Sequence, residues 1–331
     1  MRSIVDDAVV LVTGGTGSFG KKFSKYILEK TSIKKLIIFS RDEMKQWNMA
    51  QEFKEYSNIR FFLGDVRDKE RLNRALSDVD FVIHAAAQKI VPTAEYNPFE
   101  CIKTNINGAM NVIDCAIDNN VKKVIALSTD KASSPINLYG ATKLASDKTF
   151  IAANSYSGEN NTIFSVVRYG NVMGSRGSVI PFFHKIKNQG VLPITHPDMT
   201  RFMITLEQGI SLVLHALEDC EGGETYVKKI PSMSIMDIAK AIAPDADIKI
   251  IGKRAGEKLH EEMISAHDAD FVYEYRDYYK ILPHMPQWGD NIDRIKGGVK
   301  VDEDFRYESS ANDHWMSISD LKLWITNNIQ A

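Results

Sequence analysis

Short apolar runs alternate with segments of helical period through the first half of the chain. The runs are nearly continuous in apolar residues, which is typical of parallel strands that are covered on both faces. Between two of them, Phe23, Tyr26 and Ile27 share one face of a predicted helix. The predicted strands span residues 9–13, 35–40, 59–64, 81–87, 123–129 and 163–169.

This βαβα alternation predicts an α/β fold, a doubly wound Rossmann parallel sheet with a smaller C-terminal α/β lobe. Beyond Asn171 the strand signals become weaker, and Pro and Gly recur in longer loops. We therefore assign residues 1–170 to the Rossmann domain and residues 171–331 mainly to a substrate-binding lobe. The apolar pattern of residues 205–218 predicts a helix that returns to the main domain.

Composition excludes several classes of function. The chain has 331 residues, of which 44% are hydrophobic and 25% charged, and its net charge is −2. We therefore expect no nucleic-acid partner and no membrane-surface partner. The three cysteines lie far apart without metal-ligand spacing, so we predict no metal site. No apolar run approaches the roughly 20 residues of a membrane span, and we expect a cytoplasmic protein.

A glycine-rich turn follows the first predicted strand and precedes a helix. Its glycines, Gly14, Gly17 and Gly20, form a GxxGxxG pattern. Such a turn brings backbone close to a diphosphate and directs free N–H groups of a helix N-terminus at the anion. We predict a dinucleotide site here, to which the intervening residues Thr16, Ser18 and Phe19 also contribute; a plain turn is the alternative.

The end of the second predicted strand indicates which dinucleotide is bound. An NAD site usually has an acidic residue at this point, whereas this chain has Ser40 and Arg41, with Lys45 one helical turn later. A hydroxyl group and two cations suit a 2′-phosphate, so we predict NADP. The alternative for the two cations is a solvated start of a helix.

Residues after the third and fourth predicted strands complete the predicted cofactor site. Asp65 and Val66 fit a contact with the edge of the adenine ring. Ala85 and Ala86 are small enough for backbone to lie against the cofactor, although simple tight packing would also explain them.

Tyr139 and Lys143 follow the fifth predicted strand, at the edge of the sheet where ligands bind in such folds. Their i, i+4 spacing places them on one helical face. An ammonium group beside a phenol lowers the phenol pKa from about 10, which we expect to make Tyr139 a base. Such a base could take a hydroxyl proton while a hydride leaves for nicotinamide.

At this point the chain resembles the extended short-chain dehydrogenase/reductases. More narrowly, it resembles the inverting UDP-N-acetylglucosamine 4,6-dehydratases of pseudaminic acid biosynthesis. The likeness runs from the N-terminus to about residue 262 and continues more weakly beyond it. The motifs that carry it are TGGTGSFG, SRDE, GDVRD, HAAA, AEYNPFECIKTNINGA, LSTDKA, NLYGATK, RYGNVMGSRGSVIP, MTRF, KIPSM and IGKRAGEKLHE.

The resemblance implies a lyase that recycles NADP within each turnover. Carbon 4 of the hexose is oxidised, water is lost across carbons 5 and 6, and the hydride returns to carbon 6. The substrate would be UDP-N-acetylglucosamine. The product would be UDP-2-acetamido-2,6-dideoxy-β-L-arabino-hexos-4-ulose, with carbon 5 inverted.

The resemblance also implies a role for each residue of the catalytic stretch. Tyr139 would be the base at the carbon-4 hydroxyl, assisted by Lys143, and Thr129 would hydrogen-bond that oxygen. Asp130 would protonate the leaving carbon-6 hydroxyl, which requires a raised carboxyl pKa. Lys131 would remove the carbon-5 proton, and we expect the charges of Lys143 and nicotinamide to lower its pKa. Because adjacent strand residues face opposite ways, Asp130 and Lys131 converge only if the strand has ended.

The predicted substrate and cofactor contacts outside this stretch are charged or amide side chains. Lys89 is expected near both cofactor and substrate, and a solvated surface charge is the alternative for each charged residue. Asn105 is either a helix cap or a scaffold for the cofactor. The residues implied to bind the sugar nucleotide are Lys89, Asn171, Arg176, Arg254 and Glu257.

One departure and three alternative functions remain open. Ile90 stands where the family usually has His, in a loop that faces the sugar in the resemblance. The alternatives are a UDP-sugar 4-epimerase, which needs no elimination acid; a retaining dehydratase, which typically has Met at the Tyr139 position; and a non-catalytic NADP-sensing module. Family members usually assemble through helices beside the Tyr139 helix, so we expect a homo-oligomer, either a dimer or a hexamer.

Overall fold

The computed structural model describes residues 3–158, 161–284 and 292–329. Part of the predicted C-terminal lobe, residues 285–291 and 330–331, therefore lies outside the described residues. The strands are β1 Val9–Thr13, β2 Lys35–Ser40, β3 Ile59–Leu63, β4 Phe81–His84, β5 Lys123–Leu127, β6 Ile163–Arg168, β7 Asn171–Val172, β8 Val191–Ile194, β9 Thr200–Ile204, β10 Thr225–Lys228, β11 Ser232–Ser234, β12 Asp247–Ile250, β13 Glu262–Ile264, β14 Val272–Glu274, β15 Tyr278–Ile281, β16 Val299–Lys300 and β17 Tyr307–Glu308. The α-helices are α1 Ser18–Lys30, α2 Glu43–Glu52, α3 Lys69–Ala75, α4 Val91–Tyr96, α5 Pro98–Ile102, α6 Gly108–Asp118, α7 Leu138–Ala153, α8 Val179–Ile186, α9 Leu206–Asp219, α10 Ile235–Ile242, α11 Ile292–Ile295 and α12 Ile318–Asn328.

A ten-stranded sheet forms the centre of the molecule, in the order β16-β14-β15-β10-β6-β5-β4-β1-β2-β3. Seven neighbouring strands of this sheet run parallel, namely β10, β6, β5, β4, β1, β2 and β3. Successive strands are added on one side of β1 up to β3 and then, from β4, on its other side. This change of side between β1 and β4 opens a crevice outside their carboxyl ends. The doubly wound parallel sheet predicted from the sequence is confirmed.

Helices cover both faces of this sheet. Phe23 and Ile27 of α1, Met49 of α2 and Ile210 of α9 are buried in one apolar cluster. Leu72 of α3, Val112 of α6 and Phe150 of α7 are buried in another cluster on the opposite face. This two-sided burial explains why the sheet strands are nearly continuous apolar runs.

Four strands end earlier than the sequence predicted, β3 and β6 by one residue each and β4 and β5 by two or three. Strand β4 ends at His84 instead of residue 87, and β5 ends at Leu127 instead of residue 129. After β5 the backbone N–H of Ser128 still donates to the Val167 carbonyl at 2.7 Å. The chain then enters a single 3₁₀ turn, Asp130–Ala132. The strand has therefore ended before the Asp-Lys pair, which was the condition for their side chains to converge.

The second half of the chain contributes more strands than its sequence indicated. They were missed because they have only two to five residues each. Strand β10 extends the parallel sheet, and β15, β14 and β16 continue it in antiparallel order. Helix α9 packs against α1 and against β5, β6 and β10. The division of the chain at residue 170 stays a prediction.

Smaller sheets build the remaining part of the molecule. Strands β11, β9 and β7 form one sheet, β12 pairs with β8, and β13 pairs with β17. Side chains of α8, α10 and α12 pack with those of β8, β9 and β11 in a separate apolar cluster, whereas Ile264 of β13 and Tyr307 of β17 belong to a main-sheet cluster. Across the described ranges, no helix has the length and apolar character needed to cross a bilayer.

Two helical glycines provide a test of how tightly α7 is held. A Cβ at Gly140 would lie 2.2 Å from the carbonyl oxygen of Lys131, so we expect Gly140→Ala to destabilise the protein by about 1–3 kcal/mol. At Gly209 the nearest atom to a new Cβ is 3.9 Å away on Tyr169, so Gly209→Ala should stabilise by about 0.5–1 kcal/mol. Urea unfolding of both variants measures these effects, and a Gly140→Ala protein as stable as Gly209→Ala would contradict the tight contact.

Candidate active site

The glycine-rich turn after β1 allows very close approach of backbone. Gly14 has a φ of 64°, and a Cβ at this residue would lie 2.8 Å from the Cα of Ala86. A Cβ at Gly20 would lie 2.4 Å from the Gly15 carbonyl oxygen. Only glycine fits these two positions without displacing backbone, so the turn and the start of α1 stay packed together.

Helix α1 begins at Ser18 with Gly17 as its N-cap, and no side chain caps it. A helix N-terminus without a capping side chain can direct its N–H groups and its partial positive charge at an anion. The turn, the uncapped helix start and the small residues after β4 therefore fit the diphosphate of a dinucleotide. Residues Thr16, Ser18 and Phe19 lie in this turn or the first helical residues, as the sequence predicted.

A buried hydroxyl ties the turn to the end of β4. The Thr13 hydroxyl lies 2.8 Å from Nδ1 of His84 and accepts from the backbone N–H groups of Ala85 and Ala86, at 3.2 Å and 3.3 Å. Burial and the nearby charge of Lys143 lower the pKa of His84 to about 3, so its ring is neutral. The sequence analysis missed this role of Thr13 and His84.

The end of β2 carries the residues predicted to select the cofactor. The Ser40 hydroxyl lies 2.8 Å from that of Thr16, which joins β2 to the glycine-rich turn. Arg41 keeps a side chain that is 55% exposed, with its Nη1 3.6 Å from an oxygen of Asp65. Burial raises the pKa of Asp65, but hydrogen bonds and charge from Arg67 together with Arg41 lower it overall. Asp65 is therefore an anion that anchors two arginines.

Lys45 and Val66 have contacts that the sequence did not predict. Asp42 caps α2 by accepting from the Lys45 backbone N–H at 2.9 Å, and it also forms an ion pair with the Lys45 ammonium. Arg41 is therefore the less strongly paired of the two predicted cations. Val66 is buried, and a Cβ at Gly108 would lie 2.7 Å from its Cγ2.

The catalytic stretch folds as a 3₁₀ turn that packs against the start of α7. Thr129 accepts a weak hydrogen bond from the Lys131 backbone N–H at 3.4 Å, and Asn137 caps α7 by accepting from Gly140 at 2.8 Å. Tyr139 lies in the first turn of α7, so the two caps bring its phenol to the turn that carries Asp130.

Asp130 is 1% exposed, and only one of its carboxyl oxygens is bonded. Oδ1 accepts from the Thr129 hydroxyl at 2.9 Å and from the Lys131 ammonium at 3.1 Å. Oδ2 is buried and has no hydrogen-bond partner within the described ranges. Burial raises the pKa of Asp130 and the charge of Glu261 adds to it, although Lys131 opposes both. A raised pKa is what a carboxyl that acts as an acid requires.

Lys131 bridges two buried carboxylates. Its Nζ lies 3.1 Å from Oδ1 of Asp130 and 3.0 Å from Oε1 of Glu261. Burial lowers the pKa of Lys131, but the charges of Asp130 and Glu261 outweigh burial and raise it overall. The expectation that the pKa of Lys131 is lowered is therefore wrong for the protein by itself, because two carboxylates contact this amine directly.

Tyr139 is 8% exposed and also departs from expectation. Burial raises its pKa to about 12, while the charge of Lys131 and a hydrogen bond with Thr129 act in the opposite direction. Burial lowers the pKa of Lys143, although Asp147 partly restores it. The expectation that Lys143 lowers the Tyr139 pKa is wrong here, because desolvation of the phenol dominates.

Glu261 is the principal site residue that the sequence analysis missed. It is 2% exposed and lies just before β13, more than a hundred residues after the turn it contacts. Burial raises the pKa of Glu261, but the charge of Lys131 and then those of Arg201, 3.8 Å from Oε1, and Lys258 lower it overall. It is the last residue of the motif IGKRAGEKLHE. The signal in the sequence that could have identified it is a glutamate that directly precedes a buried strand.

Two predicted substrate contacts lie near the glycine-rich turn. Nη2 of Arg176 donates to the Thr16 carbonyl at 2.7 Å, and its backbone N–H approaches the Ser18 hydroxyl at 3.4 Å. Arg176 thus touches the predicted cofactor turn directly. Burial lowers the pKa of Lys89, and the charges of Arg176 and Lys131 lower it further. Lys89 is therefore near enough to Arg176 and Lys131 for its pKa to be affected by both charges, and it is exposed to solvent.

Two of the remaining predicted contacts, Arg254 and Glu257, lie in a loop at the start of α7, and the third, Asn171, lies on β7. Arg254 and Glu257 close their own turn, in which a Glu257 oxygen accepts from the Arg254 backbone N–H at 3.0 Å. Asn137 donates to the Gly256 carbonyl at 2.8 Å, so this loop contacts the cap of α7. Asn171 begins β7 and pairs in register with Met203 of β9.

Asn105 joins the loop after β4 to α7. It lies in a π-helical segment, Lys103–Asn107, between α5 and α6. Its side chain accepts from the Gln88 backbone N–H at 2.8 Å and donates to the Gln88 carbonyl and the Thr142 hydroxyl, both at 3.0 Å. The helix-cap interpretation is therefore wrong, and Asn105 is a scaffold between two parts of the site.

The chain matches a family of known proteins over most of its length. The family model described as "Polysaccharide biosynthesis protein" matches residues 10–283. The inverting UDP-N-acetylglucosamine 4,6-dehydratase of Campylobacter jejuni is 57% identical over 319 residues, which are 94% of this chain and 95% of that protein.

Two further comparisons show how broad the likeness is. The UDP-glucose 4-epimerase of Rickettsia conorii is 44% identical over 283 residues, which are 83% of each chain. The X-ray structure of Pen from Bacillus thuringiensis superposes with a TM-score of 0.88 and 36% identity, covering 98% of this chain and 99% of that one. Similarity of fold and sequence thus extends to proteins with different names and reactions.

The buried charge cluster generates a prediction about stability. Lys131→Met would leave Asp130 and Glu261 without their shared cation, and we expect a loss of about 3–5 kcal/mol at about pH 8. The folded-state carboxyl pKa values would rise above their unfolded values, so folding would take up protons. The loss should then be smaller at about pH 5 than at about pH 8.

Thermal unfolding at both pH values measures this difference, and Lys148→Met, an exposed lysine of the same helix as Tyr139, is the matched control. A loss of stability that is the same at both pH values would show that the carboxylates do not depend on Lys131.

Proposed function

The chain belongs to the family of polysaccharide biosynthesis proteins, and on this premise we propose that it is an inverting UDP-N-acetylglucosamine 4,6-dehydratase. The motif-level resemblance to that group is confirmed by the 57% identity to the Campylobacter jejuni enzyme. Its product would be UDP-2-acetamido-2,6-dideoxy-β-L-arabino-hexos-4-ulose. A cytoplasmic homo-oligomer that supplies pseudaminic acid biosynthesis is the setting we propose.

One observation carries this proposal: Asp130 and Lys131 form an ion pair beside the phenol of Tyr139. Loss of water needs an acid at carbon 6 and a base at carbon 5, in addition to a base at the carbon-4 hydroxyl. The three side chains lie on one turn and the adjoining helix start, at the carboxyl end of β5. A 4-epimerase needs the tyrosine alone and has no use for an elimination acid.

A nicotinamide dinucleotide would supply the hydride chemistry, taking the hydride from carbon 4 and returning it to carbon 6. Tyr139 would accept the proton of the carbon-4 hydroxyl, Thr129 would hold that oxygen, and Lys143 would assist. Because burial raises the Tyr139 pKa to about 12, the phenol is protonated until added positive charge favours the phenolate.

The ion pair itself can generate the acid and the base together. If the proton on Lys131 moves along the 3.1 Å hydrogen bond to Asp130, a neutral amine and a neutral carboxylic acid result. The amine then takes the carbon-5 proton while the acid protonates the carbon-6 hydroxyl. The carbon-5 C–H and carbon-6 C–O bonds break, water leaves, and the ammonium–carboxylate pair is restored. Lys131 would later help return a proton to the opposite face of carbon 5.

We propose NADP as the dinucleotide. Gly14, Gly17 and Gly20 would cradle its diphosphate, and Ser40, Arg41 and Lys45 would bind the 2′-phosphate. The contacts proposed for the rest of the cofactor come from Thr16, Ser18, Phe19, Asp65, Val66, Ala85, Ala86, Lys89, Tyr139 and Lys143. The UDP-sugar would be held by Lys89, Asn171, Arg176, Arg254 and Glu257.

A 4-epimerase is the second candidate, because a protein with that name is 44% identical to this chain. The two candidates differ in their products: an epimer retains the carbon-6 hydroxyl, whereas the dehydratase product carries a methyl group there and a ketone at carbon 4. A retaining dehydratase would give the same groups without inversion at carbon 5. A non-catalytic module would bind NADP and convert no UDP-sugar.

The product identifies the reaction. Incubation with UDP-N-acetylglucosamine in deuterated water should give the carbon-5-inverted 4-keto-6-deoxy sugar, with deuterium at carbon 5, as observed by NMR. Lys131→Ala should lower turnover by roughly 100-fold or more, since a positioned acid or base contributes about 10²–10⁴-fold. Unchanged turnover with normal deuterium uptake at carbon 5 would remove Lys131 from the mechanism.

The choice of dinucleotide is tested at Arg41. Arg41→Ser should weaken NADP binding roughly tenfold to hundredfold, since a hydrogen bond to a charged group contributes about 1.5–3 kcal/mol. NAD binding should change little. Fluorescence titration with both reduced cofactors measures the affinities, and Arg74→Ser on α3 is a control. Equal losses for the two dinucleotides would argue against recognition of the 2′-phosphate.

A further inference from the structure

Glu261 brings a third ionisable group to the catalytic turn from a distant part of the chain. Its Oε1 accepts from the Lys131 ammonium at 3.0 Å, slightly closer than the 3.1 Å between Lys131 and Asp130. Its Oε2 is buried and has no hydrogen-bond partner within the described ranges. A nearly fully buried carboxylate is costly unless it is paired, so its position beside Lys131 needs a reason.

The backbone around Glu261 is fixed independently of Lys131. Its N–H donates to the Ser309 hydroxyl at 2.9 Å, and its carbonyl accepts from the Ser309 N–H at 2.8 Å. The Ser309 hydroxyl also lies 2.7 Å from that of Thr200. The backbone that carries the Glu261 side chain is therefore anchored by the chain beside β17 and β9, without any contribution from the turn that its carboxylate contacts.

Several other charged or titratable groups face this cluster from neighbouring elements. Arg201 of β9 lies 3.8 Å from Glu261, and its guanidinium also donates to the Leu259 carbonyl at 3.0 Å. Lys258 donates to the Ser133 carbonyl at 2.7 Å, next to the turn. Lys131 interacts with both Asp130 and Glu261. The other charged or titratable groups that interact with one or more of these three residues are Arg201, Lys258, Lys89 and Tyr139.

We propose that Glu261 is a positioning residue that holds the Lys131 amine against Asp130 and sets the pH range in which this pair can eliminate water. The role in elimination rests on the proposed dehydratase function, whereas the contact between Glu261 and Lys131 does not. With Glu261 in place, the amine of Lys131 is held between two oxygens. Without it, only Asp130 would orient a long and flexible side chain.

The direction of the pH effect follows from charge. The negative charge of Glu261 raises the pKa of Lys131 and that of Asp130. Lys131 acts as the base in its deprotonated form, so removing Glu261 should move the acidic limb of the rate profile to lower pH. Asp130 acts as the acid in its protonated form, so the alkaline limb should also move to lower pH. Because Asp130 and Lys131 titrate as a coupled pair, the two limbs of the rate profile report pKa values of the pair, and both are expected to move to lower pH.

The experiment compares Glu261→Gln with wild type in two measurements. The first is the pH dependence of kcat for UDP-N-acetylglucosamine, in which both limbs should shift to lower pH by roughly one to two units. The second is the rate at which acetic anhydride labels Lys131, followed by mass spectrometry over pH. Lys131 is 22% exposed, and its labelling should begin at lower pH in the variant by a similar amount.

Two further variants separate positioning from general damage. Glu261→Asp retains the charge, so its limbs should lie close to those of wild type even if kcat falls. Glu262→Gln changes the adjacent buried carboxylate, which accepts from Ser133 at 2.9 Å and Ser134 at 2.7 Å. It should lower stability or kcat without moving either limb.

The outcomes distinguish the two proposals. If wild type converts no UDP-sugar, the dehydratase function fails, while the labelling measurement still decides whether Glu261 controls Lys131. If Glu261→Gln lowers kcat but leaves both limbs and the labelling curve where they are in wild type, Glu261 is only structural and the inference is overturned. If Glu261→Gln does not fold, Glu261→Ala, which also removes the charge, takes its place. Limbs that lie at lower pH than in wild type then support the inference, and unshifted limbs contradict it.

Discussion

The ammonium group of Lys131 lies between two carboxylates that are almost fully buried, those of Asp130 and Glu261, and Arg201 adds a further cation beside Glu261. Taking such charges out of water costs several kcal/mol for each ion, and the cost is offset only when geometry and hydrogen bonding are good. The surrounding structure meets this condition at several points. Strand β5 ends at Leu127, a 3₁₀ turn presents Asp130 and Lys131 together, and the Thr129 hydroxyl supports Asp130. The rest of the site is arranged around this cluster.

The cluster also explains why distant parts of the chain have to pack together. Asp130 and Lys131 follow a central strand of the main sheet, whereas Glu261 precedes β13 and Arg201 lies on β9. Folding of the main sheet alone would leave Lys131 with one carboxylate instead of two. The close approach of Gly140 to the Lys131 carbonyl then fixes the start of α7 against the same turn. Tyr139 is thereby placed by the turn that carries its proposed partners.

Local patterns predicted the parts of this arrangement that depend on neighbours in sequence. Strands β1 and β2 match their predicted bounds residue for residue, because charged residues or glycines lie close to both ends of each apolar run and leave little freedom. The glycine-rich turn lies where it was expected for the same reason. Glu261 and the buried His84 were missed, because their contacts join residues that are far apart in the sequence. The pKa values of Lys131 and Tyr139 were predicted in the wrong direction, because burial and Glu261 are properties of the folded chain.

These pKa directions bear on how the site begins its reaction. Tyr139 and Lys131 both hold their protons more firmly than free side chains do, so neither is a ready base in the protein by itself. Asp130, in contrast, attracts a proton more strongly than a free carboxyl group and has an oxygen with no partner among the described residues. A proton that moves from Lys131 to Asp130 therefore needs no exchange with solvent, and it produces an acid and a base one hydrogen bond apart. A site that only needed the tyrosine would gain nothing from burying this pair, and this is the physical reason why the proposed elimination is assigned to it.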